Sequence, residues 1–280
     1  MTAAGEPEDG RFEGSDGDAA AWPPIIYGPV CDQPIHRAAM VHWWDELTFL
    51  HWRYDPAEVQ RLLPEGLTVE TFDGSAWVGL VPFYLRVGLP HVPSVAWFSR
   101  FCETNVRTYV TGRDGRTGVW FFSLDAARLG AVLTARISYQ LPYFWSDLEL
   151  QHEPAEHRPI GTTIDPVGDV VFYRCRRRWP GPRGASSEAR IRVGEAYRPD
   201  ELGQLDHYLT ARWALFSAPF WGLRHARAFH EPWPLHRAEV LELDDHLVAA
   251  SGLSQPEGAP LAHWSRSVEV RIGWPDGIAR

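Results

Sequence analysis

In the ten residues FCETNVRTYV, 101–110, an acid, an amide and a guanidinium recur at every second position. The stretch mixes aromatic and β-branched residues and holds no Gly or Pro, which predicts a strand. Side chains alternate along a strand, so Phe101, Glu103, Asn105, Arg107 and Tyr109 share one face while Cys102, Thr104, Val106, Thr108 and Val110 share the other. A carboxyl group, an amide and a fixed cation on one face are the components of carboxylate recognition coupled to acid or base chemistry. Facing water, such a row is a structural ion network; facing a closed interior, it is a site. Periodicity fits both. Four residues along a strand separate the Cα atoms of Glu103 and Arg107 by about 13 Å, so each needs a partner elsewhere. Arg53, Asp125, Arg136 and Tyr139 have the right polarity.

Every one of the 27 basic residues is Arg, and Lys is absent from the 280 positions. Imine chemistry needs an amine that can lose its proton, which a guanidinium cannot do. Lysine-based covalent catalysis is therefore excluded, leaving only the N-terminal amine. Nucleotide binding and a nucleophile elbow have no support either, because the chain has no Walker loop, no GxGxxG and no GxSxG. HEPAEH, 152–157, fails as a zinc helix, since its histidines are five apart and Pro154 breaks the helical geometry. His225, His230 and His236 follow no ligation spacing and read as surface or hydrogen-bonding histidines. No metal and no cofactor is predicted. RCRRRW, 174–179, puts Arg174, Arg176 and Arg178 on one face and Arg177 on the other, as expected of a solvated strand edge. A chain of net charge −9 without a wider basic field predicts no nucleic-acid partner.

The elements that must position the row follow from pattern. Residues 1–22 carry six acids against Arg11 and almost no large apolar group, and are expected to form a disordered acidic tail. Residues 23–280 are expected to form one domain. Strands are predicted at Leu47–Trp52, 67–71, 76–86, 101–111, 117–124, 167–179, 188–197, 238–243 and 266–273. Asp55-Pro56 caps a helix over Ala57–Leu63; further helices are predicted over Ala126–Arg136 and 200–216, the last from an apolar stripe at Leu202, Leu205, Leu209, Trp213 and Phe216. Many antiparallel strands with few helices point to an α+β barrel or paired sheets. With 14 Trp, 13 Phe and 9 Tyr, the core needs no metal or disulfide staple. No run of 18 apolar residues predicts a membrane span, and the odd, scattered Cys31, Cys102 and Cys175 fit reduced thiols in a cytoplasm.

The segments LHWRYDPAEVQRLLPEGL, GSAWVGLVPF, FCETNVRTYV, GVWFFSLDA, ARISYQLPYF and HEPWPL, in this order, resemble the YqjF-like family, a domain of unknown function. The resemblance runs over roughly 38–245. It implies the acetoacetate decarboxylase-like superfamily, a cone-shaped, mainly antiparallel β-barrel around a small, largely apolar cavity, which tilts the 103–107 row inward. Decarboxylases of that superfamily carry a strand Glu, a later Arg and a Pro-Lys-Lys that supplies the imine amine. By similar order, Glu103 stands for the Glu, Arg136 for the Arg and Pro142 for the proline, and the two lysine positions read Tyr143 and Phe144. The pocket is thus expected to survive without its imine chemistry.

Two functions remain. In one, Glu103 and Tyr143 are catalytic, while Arg107, Asn105, Arg136, Tyr139, Arg53 and His51 bind a small carboxylate or keto acid, as a lysine-independent lyase, isomerase or hydrolase. In the other, the same barrel is a non-catalytic carrier, sensor or scaffold. A homo-oligomer is compatible with either.

Overall fold

The computed structural model describes residues 27–31, 33–88, 100–129, 141–155, 165–219 and 222–278. The acidic tail and most of the predicted helix over Ala126–Arg136 lie outside the described residues; Ala126 itself closes a strand. The described elements are β1 (Met40–Tyr54), α1 (Pro56–Gln60), β2 (Leu67–Val69), β3 (Ala76–Gly88), β4 (Arg100–Gly112), β5 (Thr117–Ala126), β6 (Tyr143–Glu153), β7 (Val170–Trp179), β8 (Ser186–Ala196), α2 (Gln204–Thr210), β9 (Ala214–Ser217), β10 (Arg224–His230), β11 (Leu235–Asp245), α3 (Leu247–Ala250), β12 (Leu261–Ile272) and β13 (Asp276–Gly277). Asp55 caps α1 by accepting the Ala57 N–H at 2.8 Å, with Pro56 in the first turn.

The strands form one branched sheet that closes on itself. Strands β12, β1, β3, β4 and β5 are hydrogen-bonded in that order and close in two ways. One closure runs from β5 through β6, β7, β8 and β11 to β12, making a nine-strand barrel; the other runs from β5 through β9 and β10 to β12. Pairings are antiparallel except β5 with β6 and β5 with β9. The shared strands are consequently covered on both faces. On one face Leu50, Val78, Leu80, Val106 and Trp264 pack against Val171, Tyr173, Cys175 and Ile191 of β7 and β8. Fully burying each such side chain stabilises by about 1.5–3 kcal/mol. The opposite face looks toward α2, β9 and β10, where Trp77, Tyr109, Phe121, Tyr208 and Leu209 cluster.

Two sequence expectations need correction. The helix predicted over 200–216 is a 3₁₀ turn at Pro199–Glu201, the short α2 and the strand β9. Extended backbone at Gly203 interrupts it, and residues 214–217 bond to β10 and β5 instead of to their own helical turn. RCRRRW is no edge, because β7 lies between β6 and β8. Its face assignment holds, with Arg177 turned inward, 1 % exposed, and bidentate to the fully buried Asp125 at 2.6 and 2.9 Å. Ser146 donates a further bond to Asp125 at 2.6 Å, and the Arg177 guanidinium lies 3.7 Å over the Phe144 ring. Strand β6 was not foreseen, since its apolar alternation is diluted by Asp147, Glu149, Gln151 and Glu153 on its exposed side.

Removing one partner of a buried pair strands the other charge, at a cost of about 3–5 kcal/mol. Asp125→Asn is expected to lower the urea midpoint by that equivalent with an unchanged m-value, while Asp125→Leu combined with Arg177→Met recovers most of the loss.

Candidate functional site

The row on one face of β4 is buried: Phe101, Glu103, Asn105 and Arg107 are 4–5 % exposed and Tyr109 is 0 % exposed. Strand register extends it across the sheet. His51 pairs with Gly79, Gly79 with Arg107 and Arg107 with Phe121, so one level of the face reads His51, Gly79, Arg107, Phe121 over β1, β3, β4 and β5. Gly79 is required there by space. A Cβ on it would lie 2.8 Å from His51 Nε2 and 3.6 Å from Arg107 Cγ. Its bare backbone lets the imidazole and the guanidinium stem meet over β3.

Arg107 reaches β1, where its guanidinium carbon sits 5.1 Å from the Phe49 ring centre and 5.8 Å from that of Tyr109. Its Nη2 donates to the Leu209 carbonyl at 3.2 Å and to the Tyr109 hydroxyl at 3.5 Å, and its Nε–H has no partner. No carboxylate pairs with it among the described residues. Tyr109 donates to the Leu209 carbonyl at 2.6 Å, so its oxygen accepts the His51 contact of 2.6 Å and His51 carries its proton on Nε2. His51 Nδ1 is then an unpartnered lone pair. Burial, followed by Arg107, His263 and Arg212, holds the His51 pKa well below the usual histidine range.

Glu103 occupies the next part of the same face and accepts the Tyr143 hydroxyl at 3.0 Å. Burial pushes its pKa up to about 8; the Tyr143 bond opposes the rise and the nearby Asp125 adds to it. Tyr143 is pushed well above its ordinary value by burial and then by Glu103. At neutral pH Glu103 is thus a neutral acid and Tyr143 a phenol, both able to donate. Asn105, between Glu103 and Arg107, has an unpartnered buried Oδ1.

A buried Arg212–Glu70 pair, 2.6 Å apart, backs the row. The Arg212 guanidinium lies 4.5 and 4.4 Å from the Tyr109 and Tyr208 ring centres, and its Nε donates to the Tyr208 carbonyl at 2.6 Å. This pair fixes the wall behind Tyr109. On β12, His263 is fully buried and its Nε2 is 2.9 Å from Asp206 Oδ1 of α2.

Of the sequence-predicted residues, His51, Glu103, Asn105, Arg107 and Tyr143 share this face. Arg53 does not join it: it is exposed and stacks on Trp77 at 4.9 Å. Two strand positions beyond His51, its side chain has passed the covered part of β1. Arg136 and Tyr139 lie outside the described residues. Phe144 turns to the opposite face under Arg177, as alternation from Tyr143 requires. Asp125 likewise serves Arg177 and not Arg107. Sequence reasoning missed Tyr109 as a functional group, although it stood in the same alternating row. It also missed Arg212, Glu70, His263 and Asp206, which only the register of distant strands brings together. His225, His230 and His236 engage Phe216, the Glu231 carbonyl and the Gly194 carbonyl. Two surface clefts of about 870 and 630 Å³ are lined by the Arg176–Arg183 turn and by Leu63, Trp120, Phe121 and Phe216.

This mainly antiparallel barrel has the acetoacetate decarboxylase-like fold, which solved structures share. An acetoacetate decarboxylase-like enzyme from Sphingomonas wittichii RW1 superposes with a TM-score of 0.58 at 17 % identity, covering 87 % of this chain and 94 % of its own. The enduracididine biosynthesis enzyme MppR, complexed with pyruvate, gives 0.58 at 13 % over 88 % and 92 %. Acetoacetate decarboxylase from Legionella pneumophila gives 0.55 at 12 % over 99 % and 98 %. Within this fold the chain belongs to the DUF2071 family, described as an uncharacterized conserved protein (COG2071), whose model matches residues 42–269. It is 32 % identical to the uncharacterized protein YqjF of Bacillus subtilis over 233 residues, 83 % of this chain and 89 % of YqjF. No helix among the described residues is long and apolar enough to cross a membrane.

Because the folded state holds the Glu103 proton more tightly than the unfolded chain, this group stabilises fully below about 4.5, and that contribution is lost as pH rises through about 8. Glu103→Gln is expected to flatten the fall in melting temperature over that window; a wild-type-like slope in the variant contradicts the buried neutral acid. Gly79→Ala is expected to cost about 1–3 kcal/mol by overpacking. Most of that loss should disappear in a His51→Ala background, as read by chemical denaturation.

Proposed function

We propose that the polar inner face binds a small carboxylate, a short keto acid being the best fit, with Arg107 as its anchor and Glu103 with Tyr143 as proton donors. The observation that carries this reading is the charge balance around Arg107. Asp125 is taken by Arg177 and Glu70 by Arg212, and Glu103 is neutral at pH 7 because burial raises its pKa to about 8. Arg107 is left as a buried cation held by a carbonyl and a phenol. An uncompensated buried charge costs several kcal/mol, and a bound carboxylate offsets it. A structure maintains such a cost where function draws on it.

A keto acid seated with its carboxylate on Arg107 sets its carbonyl along the strand toward Asn105 and Glu103. There the neutral acid and the Tyr143 phenol can hydrogen-bond a developing oxyanion. With no Lys in the chain, the reaction classes compatible with these groups are enolisation, dehydration and hydrolysis, none passing through an imine. The pyruvate held by MppR, a protein of the same fold, supports the ligand class. A carrier or sensor would rest on the same Arg107 contact, and turnover distinguishes it from an enzyme.

Thermal-shift screening of short keto, hydroxy and simple carboxylic acids tests the reading. A ligand at a hundred times its Kd stabilises by about 2.7 kcal/mol, so a selective rise of a few degrees is expected for the wild type. Arg107→Met should abolish that rise while leaving the unliganded protein at least as stable, because it removes the uncompensated charge. No selective rise with any acid, or an equal rise in the variant, overturns the assignment.

A further inference from the structure

We propose that His263, oriented by Asp206, is the base that removes a proton from the carbon beside the carbonyl of the acid bound at Arg107. This inference deepens the binding reading above and rests on it. His263 lies on β12 directly opposite Phe49 of β1, on the same covered face as His51, and is 0 % exposed. Its Nε2 is 2.9 Å from Asp206 Oδ1, and the other carboxylate oxygen is fixed by the Gly203 N–H at 2.7 Å. Burial raises the Asp206 pKa, but the His263 bond, the Gly203 N–H and nearby charges leave it net below its usual range. An ionised carboxylate only accepts, so an imidazole proton sits on Nε2, and in the neutral ring Nδ1 is the lone-pair nitrogen. That Nδ1 is buried with no hydrogen-bond partner. An imidazole held in one tautomer by a carboxylate, with its second nitrogen free, is the arrangement of a general base.

The helix α2 ties this base to the anion anchor. Asp206 and Leu209 are three residues apart and share one side of α2; the first holds His263 and the carbonyl of the second holds both Arg107 and Tyr109. Phe49, opposite His263 in register, also carries the Arg107 guanidinium, 5.1 Å from its ring. His51 shares this face but is a poor base, its pKa depressed by burial and then by Arg107. In the step, the C–H proton moves to His263 Nδ1 and the C–H electron pair becomes the C=C of an enolate. The former carbonyl oxygen takes the negative charge beside Arg107. Return of a proton from the imidazolium regenerates the keto acid, so no oxidant or co-reactant is needed. The substrate class is a 2-keto acid with hydrogen on C3.

Pyruvate in D₂O, followed by ¹H NMR of its methyl signal, reads the step directly in the full chain. Wild type is expected to exchange the methyl protons, and His263→Asn to slow exchange at least 100-fold with the pyruvate thermal shift intact. Asp206→Asn, which keeps the contact but not the charge, should slow exchange at least tenfold and serves if His263→Asn does not fold. Unchanged exchange in these variants overturns the proposal. So does a wild type stabilised by pyruvate without exchange, which leaves the binding reading standing. Absence of any pyruvate stabilisation removes the binding reading itself.

Discussion

A guanidinium with no carboxylate partner among the described residues, held inside a closed sheet, is the constraint around which this barrel is arranged. Arg107 is 5 % exposed, yet its partners are a backbone carbonyl and a phenol. Leaving that charge in place requires neighbours that neither neutralise it nor let water dissolve it. The structure meets both demands with residues far apart in sequence. Arg212–Glu70 and Arg177–Asp125 are each closed on themselves, so neither of these carboxylates is spare. Phe49, Tyr109 and Leu209 wall the cation on three sides. The two buried ion pairs stabilise little in themselves against apolar replacements; their effect is to fix the strands and rings that frame the unbalanced third arginine.

The branched closure of the sheet makes this possible. A strand covered on one face must alternate apolar and polar residues, but β4 is covered on both. One of its faces enters the aliphatic core through Val106, between β1, β3 and the β7–β8 hairpin. The other carries Glu103, Asn105 and Arg107: the Leu209 carbonyl of α2 takes Arg107 and Tyr109, and Tyr143 of β6 takes Glu103. Tyr143 points at the strand carboxylate Glu103, while Phe144 supports the structural pair on the reverse face.

Much of the candidate site was legible in FCETNVRTYV itself. Period-two alternation is a local property, so grouping Glu103, Asn105 and Arg107 on one face needed no tertiary information. Whether that face was wet or enclosed could not be read, because enclosure depends on β5 pairing with β9 and β12 with β10, contacts roughly 100 and 40 residues apart in the chain. The same limit hid His263 and Asp206. Each is an ordinary polar residue in its own segment, and only the placement of α2 over β12 joins them. The helix expected over 200–216 failed for a related reason: its apolar stripe was genuine, but backbone pairing to two strands claimed residues 214–217. Arg53 kept the right alternation and still missed the site, since β1 runs past the covered region before reaching it.

A crystal structure of the full chain grown with pyruvate tests the unbalanced arginine most directly. The account predicts the pyruvate carboxylate oxygens within about 3 Å of the Arg107 guanidinium nitrogens, with the carbonyl turned toward Asn105 and Glu103. Arg107 found paired with a side-chain carboxylate, or pyruvate bound elsewhere with Arg107 unchanged, would contradict it.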